Sequence, residues 1–137
     1  MIAYLIIKYY PDNRNGRQIE NLAKTFKKLG MEVIVGVDEL NKMGSLIKSP
    51  KALMAEAFKL IDRADMVIVE FSEKGVGIGV EAGYAFAKGK TVIVIAKEKT
   101  QISETMEGIA NQVVYYNDIN DLEVKITRAL KNVEKND

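Results

Sequence analysis

The sequence predicts an α/β fold, a single three-layer domain built on a five-stranded, mostly parallel sheet. Short apolar runs alternate with amphipathic helix patterns along the chain, which is typical of this class. The 137 residues suffice for one domain but not for two well-packed ones, so residues 1–137 are predicted to form one domain. Right-handed crossovers most often arrange five such strands in the order 2-1-3-4-5. That order places a ligand crevice at the carboxyl ends of strands one and three.

The first half of the chain contains three predicted strands and two predicted helices. The helix over residues 16–29 has apolar side chains at three- and four-residue spacing, and Gly30 follows it as helix-ending glycines do. Ser49 and Pro50 open a second helix to about residue 63, since serine caps helices and proline suits their first turn. Residues 38–48 are predicted as a looser polar stretch. The predicted strands are residues 2–8, 32–37 and 65–71.

The second half continues the alternation. A glycine-rich turn leads into a helix over residues 79–88, and residues 101–110 are predicted as a short helix or an irregular segment. A helix capped by residues 120–123 runs to about residue 133, and residues 134–137 are predicted to fray. The predicted strands are residues 90–96 and 112–116.

Composition excludes several kinds of chemistry. The chain has no cysteine and no histidine, so disulfides, Cys/His zinc sites and Ser-His-Asp catalysis are excluded. The net charge of +1 predicts no general attraction to nucleic acid polymers or anionic membranes. No apolar run approaches the ~18 residues of a membrane span. The first residues enter a strand pattern at once, which favours a cytoplasmic location.

One charged side chain stands alone in the glycine-rich turn and the helix after it. Glu81 is the only charge between Gly75 and Ala87, and this stretch follows the buried third strand. Three interpretations compete. The glycines serve packing while Glu81 meets a helix dipole, or they form an incomplete dinucleotide fingerprint, or Glu81 is a catalytic or sugar-binding carboxylate.

The third interpretation has a defined chemistry. Backbone N–H groups at the helix start are expected to keep Glu81 ionised, which suits a nucleophile or a cation stabiliser. A carboxylate aimed at C1 of a sugar traps an oxocarbenium-like centre, as in retaining glycoside cleavage. Gly77 and Gly79 would let a flat ring and a sugar approach the backbone closely.

Side chains near the same end of the sheet are further candidates for ligand contacts. Lys8 is a candidate for a phosphate contact, Tyr10 for a roof over the crevice, and Ser72 for a hydroxyl contact. Glu70 is a second-rank carboxylate near the end of strand three. Tyr4, within strand one, is either a core aromatic or part of the site.

Two segments carry a family resemblance. Residues 64–70 read Ala-Asp-Met-Val-Ile-Val-Glu, and residues 77–85 read Gly-Ile-Gly-Val-Glu-Ala-Gly-Tyr-Ala. Together they resemble the nucleoside 2-deoxyribosyltransferase superfamily, which includes 2′-deoxynucleoside 5′-phosphate N-hydrolases. The resemblance extends over most of the chain, including the tyrosine at position 4.

The resemblance implies roles for particular residues. Glu81 would attack C1′ of a deoxyribose, and Tyr4 would position it. Ser103 lies in the segment that reaches the partner subunit's site in such proteins, which implies a homodimer. Gly75 falls where the hydrolase branch has a phosphate-contacting serine. The implied ligand is a small nucleoside or nucleotide, and no metal or organic cofactor is implied.

The sequence departs from the family pattern at the position of an aspartate that assists departure of the base. That position holds Ala57, with Glu56 one residue away. Three functions therefore stay open: cleavage of an N-glycosidic bond with substituted helpers such as Glu56, Lys8 or Tyr10; non-catalytic nucleotide binding or sensing in the same crevice; and a purely structural dimeric module.

Overall fold

The computed structural model describes residues 1–136, which form one five-stranded sheet with helices on both faces. The strand order is 2-1-3-4-5 and all neighbouring strands are parallel, which confirms the predicted fold class and order. The strands are β1 (Ile2–Ile6), β2 (Glu32–Val35), β3 (Met66–Glu70), β4 (Thr91–Lys97) and β5 (Gln112–Tyr116). The helices are α1 (Gly16–Lys28), α2 (Gly36–Met43), α3 (Pro50–Arg63), α4 (Val76–Ala87), α5 (Glu104–Ile109) and α6 (Ile119–Asn136), with a 3-10 turn at Gly44–Leu46.

Two apolar layers hold the helices against the sheet. On one face, α1 and α6 pack against a set of strand residues that includes Leu5 and Ile68. On the other face, α2 to α5 pack against the alternate set, which includes Tyr4 and Val67. Because successive strand residues point to opposite faces, Glu70 belongs with Ile68 and lies on the face opposite Tyr4. The alternation therefore keeps the Glu70 carboxylate off the sheet face that holds the Tyr4 ring.

Several predicted helix ends are confirmed by their capping contacts. The Ser49 side chain accepts a hydrogen bond from the Ala52 N–H at 3.1 Å, as expected for an N-cap. Gly30 follows α1 with a φ of +91°, a conformation that favours glycine. The cap of α6 differs from the prediction, because Asp118 accepts from the Asp121 N–H at 2.9 Å, before residues 120–123.

The predicted polar stretch after β2 is wrong, because residues 36–43 form α2. The strand predicted to residue 37 ends at Val35, and Gly36 begins the helix. Val37 and Leu40 lie on one face of α2 and pack partly buried against the core. Packing of this apolar face outweighs the polar composition of a short helix.

The helix predicted from residue 79 begins earlier, at Val76. The glycines lower helix propensity and resemble a turn in the sequence. Ile78, Ala82 and Ala85 are nevertheless buried against the sheet, and this packing carries the helix through the glycines. The helix start therefore lies one and a half turns before Glu81, which changes the electrostatics expected there.

The remaining differences concern ends of elements. The strand predicted over residues 2–8 ends at Ile6, so Lys8 lies in the loop beyond it. The segment 101–110 contains a helix, α5, rather than irregular structure alone. The helix α6 runs to Asn136, so the fraying predicted from residue 134 is wrong for residues 134 and 135, and Asp137 lies outside the described residues.

Candidate active site

A cavity of about 430 Å³ opens where the loops after β1 and β3 meet. The topology predicts a crevice at this switch point, and the structure has one there. The loop after β1 forms one side, α2 and α3 form a largely apolar wall, and the first turns of α4 form the other side. The lining residues are Ile7, Lys8, Tyr9, Val37, Leu40, Asn41, Leu53, Met54, Ala57, Gly75, Val76, Gly77, Ile78 and Glu81.

Glu81 and Tyr4 form a hydrogen-bonded pair at this cavity. The Tyr4 hydroxyl donates to Oε1 of Glu81 at 2.6 Å. Tyr4 is fully buried on a central strand, and Glu81 is half-buried on α4. Two residues 77 positions apart in sequence thus meet through the parallel sheet and the helix that covers it. The pairing agrees with the positioning role that the family resemblance implies for Tyr4.

The ionisation of this pair is governed by burial. Burial raises the pKa of the Tyr4 hydroxyl far above its ordinary value, and the charge of Glu81 raises it further. Tyr4 therefore remains a hydrogen-bond donor throughout the neutral range. Burial also raises the pKa of Glu81, and the hydrogen bond from Tyr4 lowers it only in part.

The expectation that helix-end N–H groups favour the ionised form of Glu81 is therefore wrong, because the net effect of its surroundings is to raise the pKa of Glu81. Glu81 lies in the second turn of α4, beyond the free N–H groups of the first turn. The donor that favours its charged form is the Tyr4 hydroxyl instead. The dinucleotide interpretation also fails here, because Gly77 and Gly79 lie inside the helix and not in a turn before it.

The geometry of Glu81 suits attack on an electrophile in the cavity. Among residues 1–136, its side chain makes a hydrogen bond through Oε1 only, so Oε2 is available to a ligand. It is also the one carboxylate among the described residues that line the cavity. A fixed carboxylate in a mostly apolar cavity can act as a nucleophile or stabilise a cationic centre.

Lys8 and two of the predicted glycines lie at the same cavity. Lys8 Nζ donates to the Lys74 carbonyl at 2.9 Å and lies beside Gly75, where an added Cβ would be 3.6 Å from Nζ. Gly75 precedes α4, and Gly77 lies in its first turn with open space around its Cα. This arrangement brings a cation and the N-terminal end of a helix to one side of the cavity.

Ala57 and Glu56 differ sharply in position. Ala57 is 1% exposed and forms part of the cavity wall on α3. Glu56 is absent from the described cavity lining, and its carboxylate pairs with Lys59 at 3.3 Å on the helix surface. The hypothesis that Glu56 substitutes for the family aspartate is therefore not supported by its placement.

Tyr10, Ser72 and Glu70, three of the predicted candidates, line a second pocket next to the cavity. Tyr10 lies there with the Arg14 guanidinium 4.7 Å above its ring. The Ser72 hydroxyl accepts from the Lys97 N–H at 2.8 Å. Glu70 lines the same pocket, is 3% exposed, and accepts from the Tyr116 hydroxyl and from the Ser72 N–H. The structure thus assigns Glu70 a local structural contact on the face away from Tyr4.

Two more predicted residues lie along α4 and α5. Gly79 and Ser103 line a third pocket, open to solvent, and Lys8 and Gly75 reach its edge. The Ser103 side chain caps α5 by accepting from the Met106 N–H at 3.3 Å. Neither Gly79 nor Ser103 lines the cavity that contains Glu81.

The residues of α2 and α3 that form a wall of the cavity were not predicted from the sequence, apart from the position of Ala57. Leu40 and Asn41 on α2, and Leu53 and Met54 on α3, complete the cavity. The spacing of Val37 and Leu40 was the available signal, since residues three apart share a helix face. Asn41 is the only side-chain amide among the described residues of the lining, and no sequence pattern marks it.

An open parallel sheet with a carboxylate-bearing cavity at its switch point is the arrangement in which α/β proteins commonly bind small molecules. The sequence profile of the nucleoside 2-deoxyribosyltransferase family matches residues 6–129. The chain therefore belongs to this family, and the predicted resemblance is confirmed. No curated protein sequence matches the chain significantly.

Solved structures share the fold at low sequence identity. A CMP N-glycosidase of Clostridium botulinum has a TM-score of 0.65 and 20% identity, covering 93% of this chain and 98% of that one. A 2-deoxyribosyltransferase of Bacillus psychrosaccharolyticus has a TM-score of 0.73 and 16% identity, covering 90% of each chain. A conserved protein of Enterococcus faecalis V583 has a TM-score of 0.68 and 12% identity, covering 93% and 98%.

Within residues 1–136, no helix combines the length and the apolar character that crossing a bilayer requires.

Proposed function

We propose that the protein cleaves the N-glycosidic bond of a deoxynucleoside or a deoxynucleoside 5′-monophosphate, with Glu81 as nucleophile. The observation that carries the proposal is the half-buried Glu81, held by the Tyr4 hydroxyl at 2.6 Å, at a cavity of about 430 Å³. The volume lies within the range of small-molecule sites, and membership in the deoxyribosyltransferase family supports the substrate class.

The proposed reaction has two steps. Oε2 of Glu81 attacks C1′ and forms a glycosyl ester, while the C1′–N bond breaks and its electron pair leaves with the base. The base takes its proton from solvent, because the cavity wall holds Ala57 and no second carboxylic acid among its described residues. Water or a second base then attacks C1′, the ester bond breaks, the Glu81 carboxylate is restored, and the nucleophile's surplus proton passes to solvent.

Tyr4 has two effects in this reaction. Its hydroxyl fixes the rotamer of Glu81, so that the attacking oxygen is oriented before substrate binds. It also partly offsets the rise in the Glu81 pKa that burial causes, which increases the fraction of attacking carboxylate at neutral pH. Activity should therefore rise with pH as Glu81 ionises.

The side of the cavity near Lys8 suits a 5′-phosphate. Lys8 Nζ lies beside Gly75 at the start of α4, where a negative group meets both a cation and the helix dipole. The structural neighbour that is a CMP N-glycosidase acts, by its name, on a monophosphate. The apolar wall of α2 and α3 would then receive the base, with the Asn41 amide as a polar contact.

A homodimer is part of the proposal. One face of α4 exposes Val76 (87%), Val80 (44%) and Phe86 (53%), and Ser103 lies nearby on the third pocket. Exposed apolar side chains of this size on one helix are a common mark of an interface. Light scattering should give twice the 15.3 kDa mass of one chain. Val80→Asp should return the single-chain mass, whereas Val124→Asp, 61% exposed on α6, should not.

Base release tests the catalytic proposal. Purified protein is incubated with the four deoxynucleosides and their 5′-monophosphates, with and without an acceptor base, and the products are separated by chromatography. Glu81→Gln should abolish release, and Glu20→Gln, an exposed residue of α1 on the opposite face of the sheet, should leave it unchanged. Unchanged release from Glu81→Gln would refute the nucleophile. Dependence on the acceptor base would distinguish transfer from hydrolysis.

A second candidate is nucleotide binding without catalysis, and Ala57 favours it. No described cavity residue supplies an acid where the family aspartate would stand, so departure of the base lacks general-acid assistance. General acid catalysis typically contributes about 10²–10⁴-fold in rate. Saturable calorimetric binding of a 5′-monophosphate, together with no base release from any substrate, would establish this alternative.

A further inference from the structure

Gly36 lies against the hydroxyl end of Tyr4, outside the cavity lining. It is buried at the junction of β2 and α2. A Cβ atom built on Gly36 would lie 2.2 Å from the Tyr4 hydroxyl oxygen and 2.5 Å from Cζ. Real Cβ atoms do not approach other heavy atoms so closely. Only glycine therefore fits at this position while Tyr4 keeps its place.

Tyr4 has little freedom to move away from an added methyl group. Its backbone is hydrogen-bonded between two strands, opposite Ile34 of β2 and Val67 of β3. Its ring is fully buried, and its hydroxyl is held by Glu81 at 2.6 Å. Close-packed interiors respond to one extra methyl group by shifting side chains or backbone. Here the shift must fall on the Tyr4 ring or on α2.

We propose that Gly36 is a positioning residue for Glu81: its missing side chain leaves the space in which the Tyr4 hydroxyl meets the Glu81 carboxylate. The catalytic consequence rests on the proposed function, but the effect on the Glu81 carboxyl does not. Gly36 touches no ligand in this scheme, and it acts through the Tyr4–Glu81 hydrogen bond alone.

The expected consequences follow from the two ways in which the site can relax. If the Tyr4 ring moves, Glu81 loses its hydrogen bond, and the pKa of Glu81 rises because burial then acts without the Tyr4 donor. A displacement of about 1 Å at a catalytic group can cost about 10²-fold in rate. If α2 moves instead, Leu40 and Asn41 move with it and KM rises. The proposal requires the first response, in which kcat falls more than KM rises.

The experiment compares Gly36→Ala with Gly108→Ala. Gly108 is a helical glycine on α5 whose added Cβ would meet nothing within 4 Å. The primary readout is the pH titration of the Glu81 carboxyl carbon by NMR in the ligand-free protein. Gly36→Ala should raise the midpoint and Gly108→Ala should not. Where base release is present, Gly36→Ala should lower kcat by about tenfold to a hundredfold.

Combination with Tyr4→Phe tests whether the effect passes through Tyr4. Tyr4→Phe alone should raise the Glu81 midpoint, and adding Gly36→Ala should raise it no further. An unchanged midpoint in Gly36→Ala, or a further rise in the Tyr4→Phe background, would overturn the proposal. These readouts need no activity, so a protein that releases no base fails the proposed function without affecting this test.

A space-relieving variant keeps the test valid if Gly36→Ala alone does not fold. Tyr4→Leu removes both atoms that lie within 2.5 Å of the added Cβ, Cζ and the hydroxyl oxygen. The double variant with Gly36→Ala should then fold with the melting temperature of Tyr4→Leu. A double variant that still fails to fold would show that glycine is required by the backbone and not by Tyr4, which overturns the proposal.

Discussion

Replacement of Tyr4 by phenylalanine removes one hydroxyl and leaves the buried ring in place. The lost contact is a 2.6 Å hydrogen bond to a carboxylate, and such bonds contribute about 1.5–3 kcal/mol. With an unfolding entropy of about 2.1 cal/mol/K per residue, the 137 residues give about 0.29 kcal/mol/K. Tyr4→Phe should therefore lower the melting temperature by about 5–10 °C at a pH where Glu81 is ionised.

The same substitution should cost less in acid. Once Glu81 is protonated the lost bond joins two neutral groups, which is worth about 0.5–1.5 kcal/mol, or about 2–5 °C. The pH–activity profile should also shift to higher pH, because the Tyr4 hydrogen bond lowers the Glu81 pKa against the effect of burial. A smaller fraction of the variant molecules would then have an ionised Glu81 at neutral pH.

Circular-dichroism melts between pH 4 and pH 8 measure the stability effect. Tyr115→Phe is the matched control, because Tyr115 lies on β5 with 39% of its surface exposed. A Tyr4→Phe melting temperature indistinguishable from that of Tyr115→Phe at neutral pH would refute the reasoning. A loss of stability that does not diminish in acid would show that the hydroxyl stabilises something other than the Glu81 charge.

Two further predictions concern charge at the cavity. Burial raises the folded-state pKa of Glu81, so its stabilising protonated form is lost as pH rises through that pKa. Glu81→Gln should therefore raise the melting temperature by a few degrees at neutral pH, with the gain vanishing near pH 4, and a gain that persists in acid would contradict this. Lys8→Met should raise KM for a 5′-monophosphate about tenfold or more but should leave KM for the free nucleoside unchanged. Lys97→Met, in the neighbouring pocket, is the control and should change neither KM. Equal effects of Lys8→Met on both substrates would rule out a phosphate contact.

Much of the fold was predictable because its signals are local. Each strand is a short apolar run, and α1 and α3 each have an apolar face with a recognisable end at Gly30 or Ser49. The missed helix α2 has only one partly buried face and a polar remainder, so its helical state depends on packing. The early start of α4 depends on Ile78 and its neighbours against the sheet, which outweigh the glycines.

The candidate site was predictable in part. Glu81 could be singled out because an isolated charge in an apolar stretch is unusual, and Tyr4 followed from the family resemblance. The ionisation of Glu81 was not predictable, because it depends on burial and on a donor 77 positions away. The different surroundings of Ala57 and Glu56 also depend on the orientation of α3, which sets Ala57 in the cavity wall and pairs Glu56 with Lys59 on the helix surface.

The placement of Tyr4 and Glu81 has a consequence for how the site fails under heat. Both side chains belong to regular elements, a central strand and the middle of a helix, rather than to loops. Such elements usually open only in the highest-energy, near-global unfolding events. The pair is therefore assembled during folding, and no ligand is needed to order it. The hydrogen-bonded pair should therefore persist up to the unfolding transition itself and disappear together with the sheet.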